Sequence, residues 1–485
     1  MIPLDSILLK KRYLDLPEDL IRPVNITPLK NIKIASFNAS AARWLNLDIK
    51  DNMHEHLAKW LNGELILENQ QTVATRYSGH QFGHYVPQLG DGRALLFGEI
   101  ESINQDLVEL QLKGGGVTPF SRQGDGRAVL RSTIREYLCS EAMFALGIPT
   151  TRALAIASSD SEVYRESIET GALLLRCANS HIRFGHFENC FYNGEEENSQ
   201  QLADFVIQHH LPHLANDEKP YAGLLRHAVI ETAKLMAHWQ SVGFAHGVMN
   251  TDNMSILGLT IDYGPYGFLD KFEPDFICNH SDHQGRYAFN RQPDIAYWNL
   301  SALAQAMTSL ISVDDAKAAI QDFGELFETE YLKLMAGKLG LPDNHPELSK
   351  LLNQLFSNMA RDKSDYTRIM RALCKIDENS PSLPNDLTGD KNAWQQWLDE
   401  YARCLREDTV ATSIRQTAMR SRNPKYILRN YIAQEAIELA EKGDFSRVNE
   451  LLILLQSPYD EHPEMERYAA SPPDWSQEIA VSCSS

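Results

Sequence analysis

The chain has 485 residues, 43% of them hydrophobic and 23% charged, with 27 Gly and 21 Pro. That composition excludes a collagenous, low-complexity or largely disordered chain, and the length allows about three average domains or one large bilobal unit. Lys and Arg total 46 against 65 Asp and Glu, and the net charge of −19 argues against nucleic acid or an anionic membrane as main partner.

The first 20 residues place apolar before basic side chains and soon turn acidic, the reverse of a signal peptide. No run approaches the roughly 20 apolar residues of a spanning helix. Seven scattered cysteines (Cys139, Cys177, Cys190, Cys278, Cys374, Cys404 and Cys483) suit a reducing compartment, so the expected location is cytoplasmic.

Residues 1 to about 75 read as an irregular N-terminal extension with one helix, His54 to Leu61. Leu95–Ile100 and Val108–Leu112 are expected strands, the second from the alternation of Val108, Leu110 and Leu112. Arg131–Leu146 reads as a helix, with Ile134, Leu138, Ala142 and Ala145 on one face and Gly147-Ile148-Pro149 as its stop. After a short strand at Leu173–Leu175 the chain becomes mainly helical. The clearest helices are Leu224–Gln240, Ile295–Ile311, Ala316–Ala336 and Lys425–Lys442, and a loop, Asp377–Asn392, separates two helical groups. The expected class is α+β: a small β-rich lobe, a large helical lobe, and extensions.

Gly-Asp-Gly-Arg-Ala occurs twice, at Gly90–Ala94 and Gly124–Ala128. Two copies do not make a solenoid. They are either two similar tight turns, or two turns bringing backbone N–H groups and an Arg to one anion. Lys113 ends the alternating strand and precedes Gly114-Gly115-Gly116, a setting that suits a phosphate-binding charge as well as a solvated strand end. Glu136 and Glu141 lie about 140° apart around the helix, so at most one of them faces Lys113. Arg176 and Arg183 follow apolar runs, where a buried guanidinium needs an anion, either a structural carboxylate or a phosphate.

The most informative stretch is His246-Gly247-Val248-Met249-Asn250-Thr251-Asp252-Asn253, after a long helix. An expected hairpin, Met254–Ile261 turning at Gly258, leads to Asp262-Tyr263-Gly264. That order matches a kinase catalytic loop and metal-binding Asp, and Asn and Asp oxygens suit Mg2+ bridging phosphates. One position departs: where a kinase carries its base, two residues after the His, stands Val248. Asp252 is the only carboxylate in the loop. Cys278-x-His280-x-x-His283 offers three zinc ligands without an apparent fourth, which does not make a closed site. Asn423-Pro424, opening the last of these helices, reads as packing.

Tyr77–Gly83, Gln88–Ala94, Gln111–Arg122, His246–Asn253 and the closing Cys483-Ser484-Ser485 together resemble the selenoprotein O family over essentially the whole chain. The resemblance implies a protein-kinase-like bilobal (pseudokinase) fold that binds ATP flipped relative to kinases. It also implies transfer of AMP to Ser, Thr or Tyr hydroxyls of proteins, with UTP and Mn2+ as an alternative in bacterial members. By position, Asp252 resembles the proton acceptor, Asn253 and Asp262 the ligands of Mg2+, and Glu136 the partner of Lys113. Gly90, Gly92, Arg93, Lys113, Asp125, Gly126, Arg176 and Arg183 resemble the nucleotide contacts, with Asp262 among them. The implied division is an extension (1–75), an N-lobe (76–172), a C-lobe (173–375) and a helical extension with a cysteine-bearing tail (376–485). Cys483 stands where animal members carry selenocysteine. Cys278 lies in the segment corresponding to a kinase activation loop, and a Cys278–Cys483 redox bridge competes with two unrelated thiols. A kinase with a displaced Asp, or a nucleotide-binding scaffold without turnover, are the alternatives to AMP transfer.

Overall fold

A computed structural model describes residues 1–407 and 409–482. The fold is mixed α/β, β-rich towards the N-terminus and helical after it. Seven antiparallel strands form the main sheet in the order Ile21–Pro23, Val73–Thr75, Ala94–Glu101, Leu107–Lys113, Ile168–Ala178, Arg152–Tyr164, Lys33–Phe37, with Ala128–Val129 pairing off that path. Three of those strands come from the first 75 residues, so that segment is not irregular. Each is at most five residues long, too short for an alternation pattern to declare it.

The expected strand at Val108–Leu112 is present, and its two faces do different work. Val108, Leu110 and Leu112 pack with Trp60, Phe97, Leu173 and Leu175. Glu109, Gln111 and Lys113 are also buried, on the face that carries the polar site. The helix Leu130–Ala145 matches the expected one, and its Ile134 and Leu138 join the largest core cluster.

The long helix Pro220–Val242 stops at Gly243, whose φ of +69° is the left-handed cap that glycine adopts without a Cβ penalty. The next two residues, Phe244–Ala245, pair with Gly267–Phe268 and aim the following loop at the sheet.

Four expected elements differ. Leu173–Leu175 is only the centre of an eleven-residue strand, Ile168–Ala178, whose partner Arg152–Tyr164 was not anticipated. The single helix expected over Ala316–Ala336 is two, Val313–Ile320 and Phe323–Leu339. At the break Arg226 donates to the carbonyl of Ala319 (3.2 Å) and pairs with Asp322 (2.9 Å). The helix expected from Lys425 starts only at Asn430. Before it, the N–H groups of Lys425 and Tyr426 are held by the carbonyl of Pro458, and Arg429 is drawn to Asp270 and Asp365, both at 2.7 Å.

The Met254–Ile261 segment turns at Gly258 as expected, but its arms do not pair with each other. Ser255 bridges to Arg183, and Thr260 bridges to Thr150. Both arms therefore serve as spacers between neighbouring segments, and one of them sets the position of Arg183. Among the described residues no helix is long and apolar enough to cross a membrane.

Candidate active site

Lys113, at the end of its strand, is buried and ion-paired with Glu136. The alternative partner, Glu141, faces away and pairs with Arg152 at 2.7 Å, as the helical offset requires. Glu136 also accepts from Arg176 at 3.0 Å, and the other arm of Arg176 donates to Gln111. Burial works to lift the Glu136 carboxyl, but Lys113 and Arg176 outweigh it and hold it below the ordinary range. Burial pushes the Lys113 ammonium down, against the pull of Glu136.

Arg176 and Arg183 converge on Asp262, each ion-paired to one of its carboxylate oxygens. Burial raises the Asp262 carboxyl, yet Arg183, Arg176 and Lys113 together hold it well below the usual carboxylate range. Its backbone has φ of +57°, the left-handed region that a non-glycine residue occupies only under constraint from its surroundings. Arg183 also donates to the carbonyl of Asp252 at 2.8 Å, tying the two acidic positions together.

In the loop, His246 is buried, stacked on Trp239 and donating from Nε2 to the carbonyl of Ile261 at 2.9 Å. It is a strut between the loop and Asp262. Thr251–Asn253 form one 3-10 turn. Asn253 donates from Nδ2 to the carbonyl of Val248 at 3.0 Å, which leaves its Oδ1 for a cation. Asp252 is 7% exposed, and burial pushes its carboxyl up to about 7 in spite of Arg183. Its Oδ1 is buried and has no hydrogen-bond partner among the described residues.

A cavity of about 590 Å3 joins these groups. Gly90, Gly92, Arg93, Lys113, Asp125, Gly126, Arg176, Arg183, Asp252, Asn253 and Asp262 all line it, with Val248, while Glu136 stands behind Lys113. The two Gly-Asp-Gly-Arg turns thus reach one cavity, although their aspartates do different things. Asp91 is buried and accepts from the N–H and hydroxyl of Thr75 at 3.0 and 2.6 Å. Asp125 lies at the rim, where it pairs with Arg165 at 2.8 Å and accepts from the N–H of Arg127. Gly126 has φ of +69°, and a Cβ there would lie 2.1 Å from the main chain of Gly116. Only glycine allows the second turn to cross the Gly114–Gly116 segment so closely.

The family model for protein adenylyltransferase SelO matches residues 3–456. The chain belongs to the SelO family. Similar relatives are named protein nucleotidyltransferase YdiU. One from Aliivibrio salmonicida (strain LFI1238) is 49% identical, covering 99% of both chains. One from Thioalkalivibrio sulfidiphilus (strain HL-EbGR7) is 51% identical, covering 98% of both. One from Myxococcus xanthus (strain DK1622) is 48% identical over the full length of both. The chain is accordingly an enzyme, a protein nucleotidyltransferase, and it takes a nucleotide substrate.

In this SelO-family chain the donor set suits a hard divalent cation: the Asn253 amide oxygen, left without a hydrogen bond among the described residues, and the Asp262 carboxylate. Asp262 is occupied by two guanidiniums here, so a cation and a phosphate must divide that cluster between them.

Among the residues not anticipated as part of the site, Arg122, Arg127 and Arg165 line the same cavity, and Gln81 belongs to a small hairpin, Gly79–Gln81 paired with His84–Val86. It lies against the 250–252 loop, with the N–H of His80 donating to Thr251 Oγ1 at 2.7 Å and that of Phe82 to Tyr287 Oη at 2.9 Å. The glycines and aromatics of Tyr77–Gly83 mark the stretch as unusual, but no local signal pairs it with a loop 170 residues away.

Proposed function

We propose that the cavity binds ATP with its phosphates among Arg93, Lys113, Arg176 and Arg183, and transfers AMP to a protein Ser, Thr or Tyr hydroxyl. The acceptor oxygen attacks the α-phosphorus, the bond to the β-phosphate breaks, pyrophosphate leaves, and the hydroxyl proton passes to Asp252. The single observation carrying this reading is the exchange of roles in the loop. Val248 lines the cavity where a kinase carries its base, while Asp252 supplies a carboxylate to the same cavity. Arg93, Lys113, Arg176 and Arg183, cationic side chains of one pocket, favour the departing pyrophosphate charge over the neutral hydroxyl. Asn253 and Asp262 would hold Mg2+, or Mn2+, which when bound supplies positive charge to the phosphates.

The kinase-like, bilobal reading of the fold, with lobes at 76–172 and 173–375 between the extensions, rests on the same order of parts: strand Lys, helix Glu, loop Asn, then Asp-Tyr-Gly. UTP with Mn2+ is the second donor to test. The acidic surface and scattered cysteines favour a cytoplasmic enzyme without nucleic-acid or membrane partners. Label from α-labelled ATP is expected on protein and label from γ-labelled ATP is not; incorporation from the γ-position alone would instead establish a kinase.

The Cys278–Cys483 switch belongs to the same proposal. Cys483 lies outside the described residues. Cys278 is buried, and its Sγ donates to the carbonyl of Ala245, so exposure does not single it out. What favours the pairing is the tail: Val481 is buried, its carbonyl accepts from the N–H of His280 at 2.9 Å, and its N–H lies 3.2 Å from His280 Nδ1. Those bonds also give His280 a role other than zinc ligation. Reductant is expected to raise activity of oxidised protein, and Cys483→Ser to remove that response. Non-reducing peptide maps that lack a Cys278–Cys483 cross-link after oxidation would end the idea.

A further inference from the structure

Asp252 has one occupied and one unoccupied carboxylate oxygen. Among the described residues the one side chain that donates to it is Gln81, whose Nε2 lies 3.2 Å from Oδ2. Oδ1 is left buried and unpartnered. Gly79, two residues before Gln81, runs so close that a Cβ there would lie 2.7 Å from Oδ1 and 2.9 Å from the Asp252 N–H nitrogen. The carboxylate is therefore held between a backbone and one amide.

The arm carrying Gln81 has little freedom to place that amide elsewhere. Every residue from 80 to 82 bonds to the catalytic loop or to a group that holds it. The N–H of His80 donates to Thr251 Oγ1, and its ring Nδ1 lies 2.6 Å from Glu188, which is fully buried. The hydroxyl of Thr251 donates to the other oxygen of Glu188. On the far side, the N–H of Phe82 reaches Asn250 Oδ1 at 3.3 Å and Tyr287 Oη, and Tyr287 donates to that same Asn250 oxygen at 2.6 Å. Glu188, on the helix Phe184–Tyr192, is thus a clamp joining hairpin to loop.

We infer that Gln81 is a positioning residue of the transfer reaction, holding the Asp252 carboxylate through Oδ2 while the Gly79 backbone closes off Oδ1, so that the carboxylate keeps one orientation at the cavity. The inference rests on Asp252 being the proton acceptor. The amide is committed to the Asp252 carboxylate, so its effect is expected on turnover more than on nucleotide binding. A hydrogen bond to a carboxylate is worth enough that its loss lowers kcat by roughly 10- to 100-fold.

The test measures label transfer from α-labelled ATP into a fixed amount of whole-cell protein extract, alongside ATP affinity by calorimetry. Gln81→Leu and the isosteric Gln81→Glu are expected to lose that factor in kcat while KM and Kd for ATP stay within about twofold. Gln81→Lys, which keeps a donor, is expected to recover most of the rate. The isosteric variant guards against a folding defect, checked by thermal melting. Unchanged kcat in both Gln81→Leu and Gln81→Glu overturns the role of Gln81 if Asp252→Ala is inactive. So does a loss matched by equally weakened ATP binding, or a Gln81→Lys enzyme no better than Gln81→Leu. Full turnover by Asp252→Ala removes the proton-acceptor reading, and the role of Gln81 with it.

Discussion

Asp262→Ala is expected to abolish AMP transfer, and it should do so without abolishing nucleotide binding. The carboxylate is the one anion shared by Arg176 and Arg183, and with Glu136 it balances a cluster that includes Lys113. Removing it deletes a ligand of the expected cation and leaves Arg183 without its carboxylate, while Arg176 keeps Glu136. Arg183 is then free for phosphate, so ATP affinity measured with a chelator should hold or rise. Stability should fall, because breaking a buried pair leaves charge uncompensated, typically about 3–5 kcal/mol. The loss should sit at or below the low end of that range, since the Asp262 side chain is 26% exposed and Glu136 still serves Arg176. Label incorporation, calorimetry with and without chelator, and a thermal melt measure the three effects separately. Activity within tenfold of the unmodified enzyme would remove Asp262 from the reaction.

Asp252→Ala is expected to lower kcat by about 10²–10⁴-fold, the usual worth of a positioned general base, while ATP affinity changes little. Asp252→Asn should do the same with less disturbance, since the amide keeps the shape. The stability of the resting protein should move the other way. Burial raises the Asp252 carboxyl to about 7, above its value in an unfolded chain. The folded state therefore binds more protons, and ionisation costs stability progressively as pH rises from about 4 to 7. Above that window the cost is complete. Asp252→Asn should then melt higher than the unmodified protein at pH near 8 and differ little near pH 4. A melting temperature lowered at pH 8 would show that the carboxylate is better solvated than its burial implies.

Much of this site could be read from residue order alone. The alternation of Val108, Leu110 and Leu112 placed Lys113 at a strand end, and helical spacing limited its partner to one of Glu136 and Glu141. The order His246, Asn253, Asp262 marked a phosphate-transfer loop, and Val248 marked its changed chemistry. These are local signals, carried by periodicity and by short spacings that the backbone geometry enforces.

Tertiary structure decided the rest, wherever the deciding contact spans distant segments. That Glu136 and not Glu141 meets Lys113 depends on how the helix docks, with Arg152 taking the other acid. That both Gly-Asp-Gly-Arg turns serve one cavity depends on the crossing of Gly126 over Gly116. Arg183 reaches Asp262 because Ser255 bridges to Arg183, not to its expected hairpin partner. Gln81 meets Asp252 across 171 positions, through a short hairpin with no periodic pattern to announce it. By itself the sequence determined which residue types carry the chemistry and on which elements they sit. Pairing across the chain is set by burial and by the need to neutralise each buried charge, and those constraints exist only once the elements have packed.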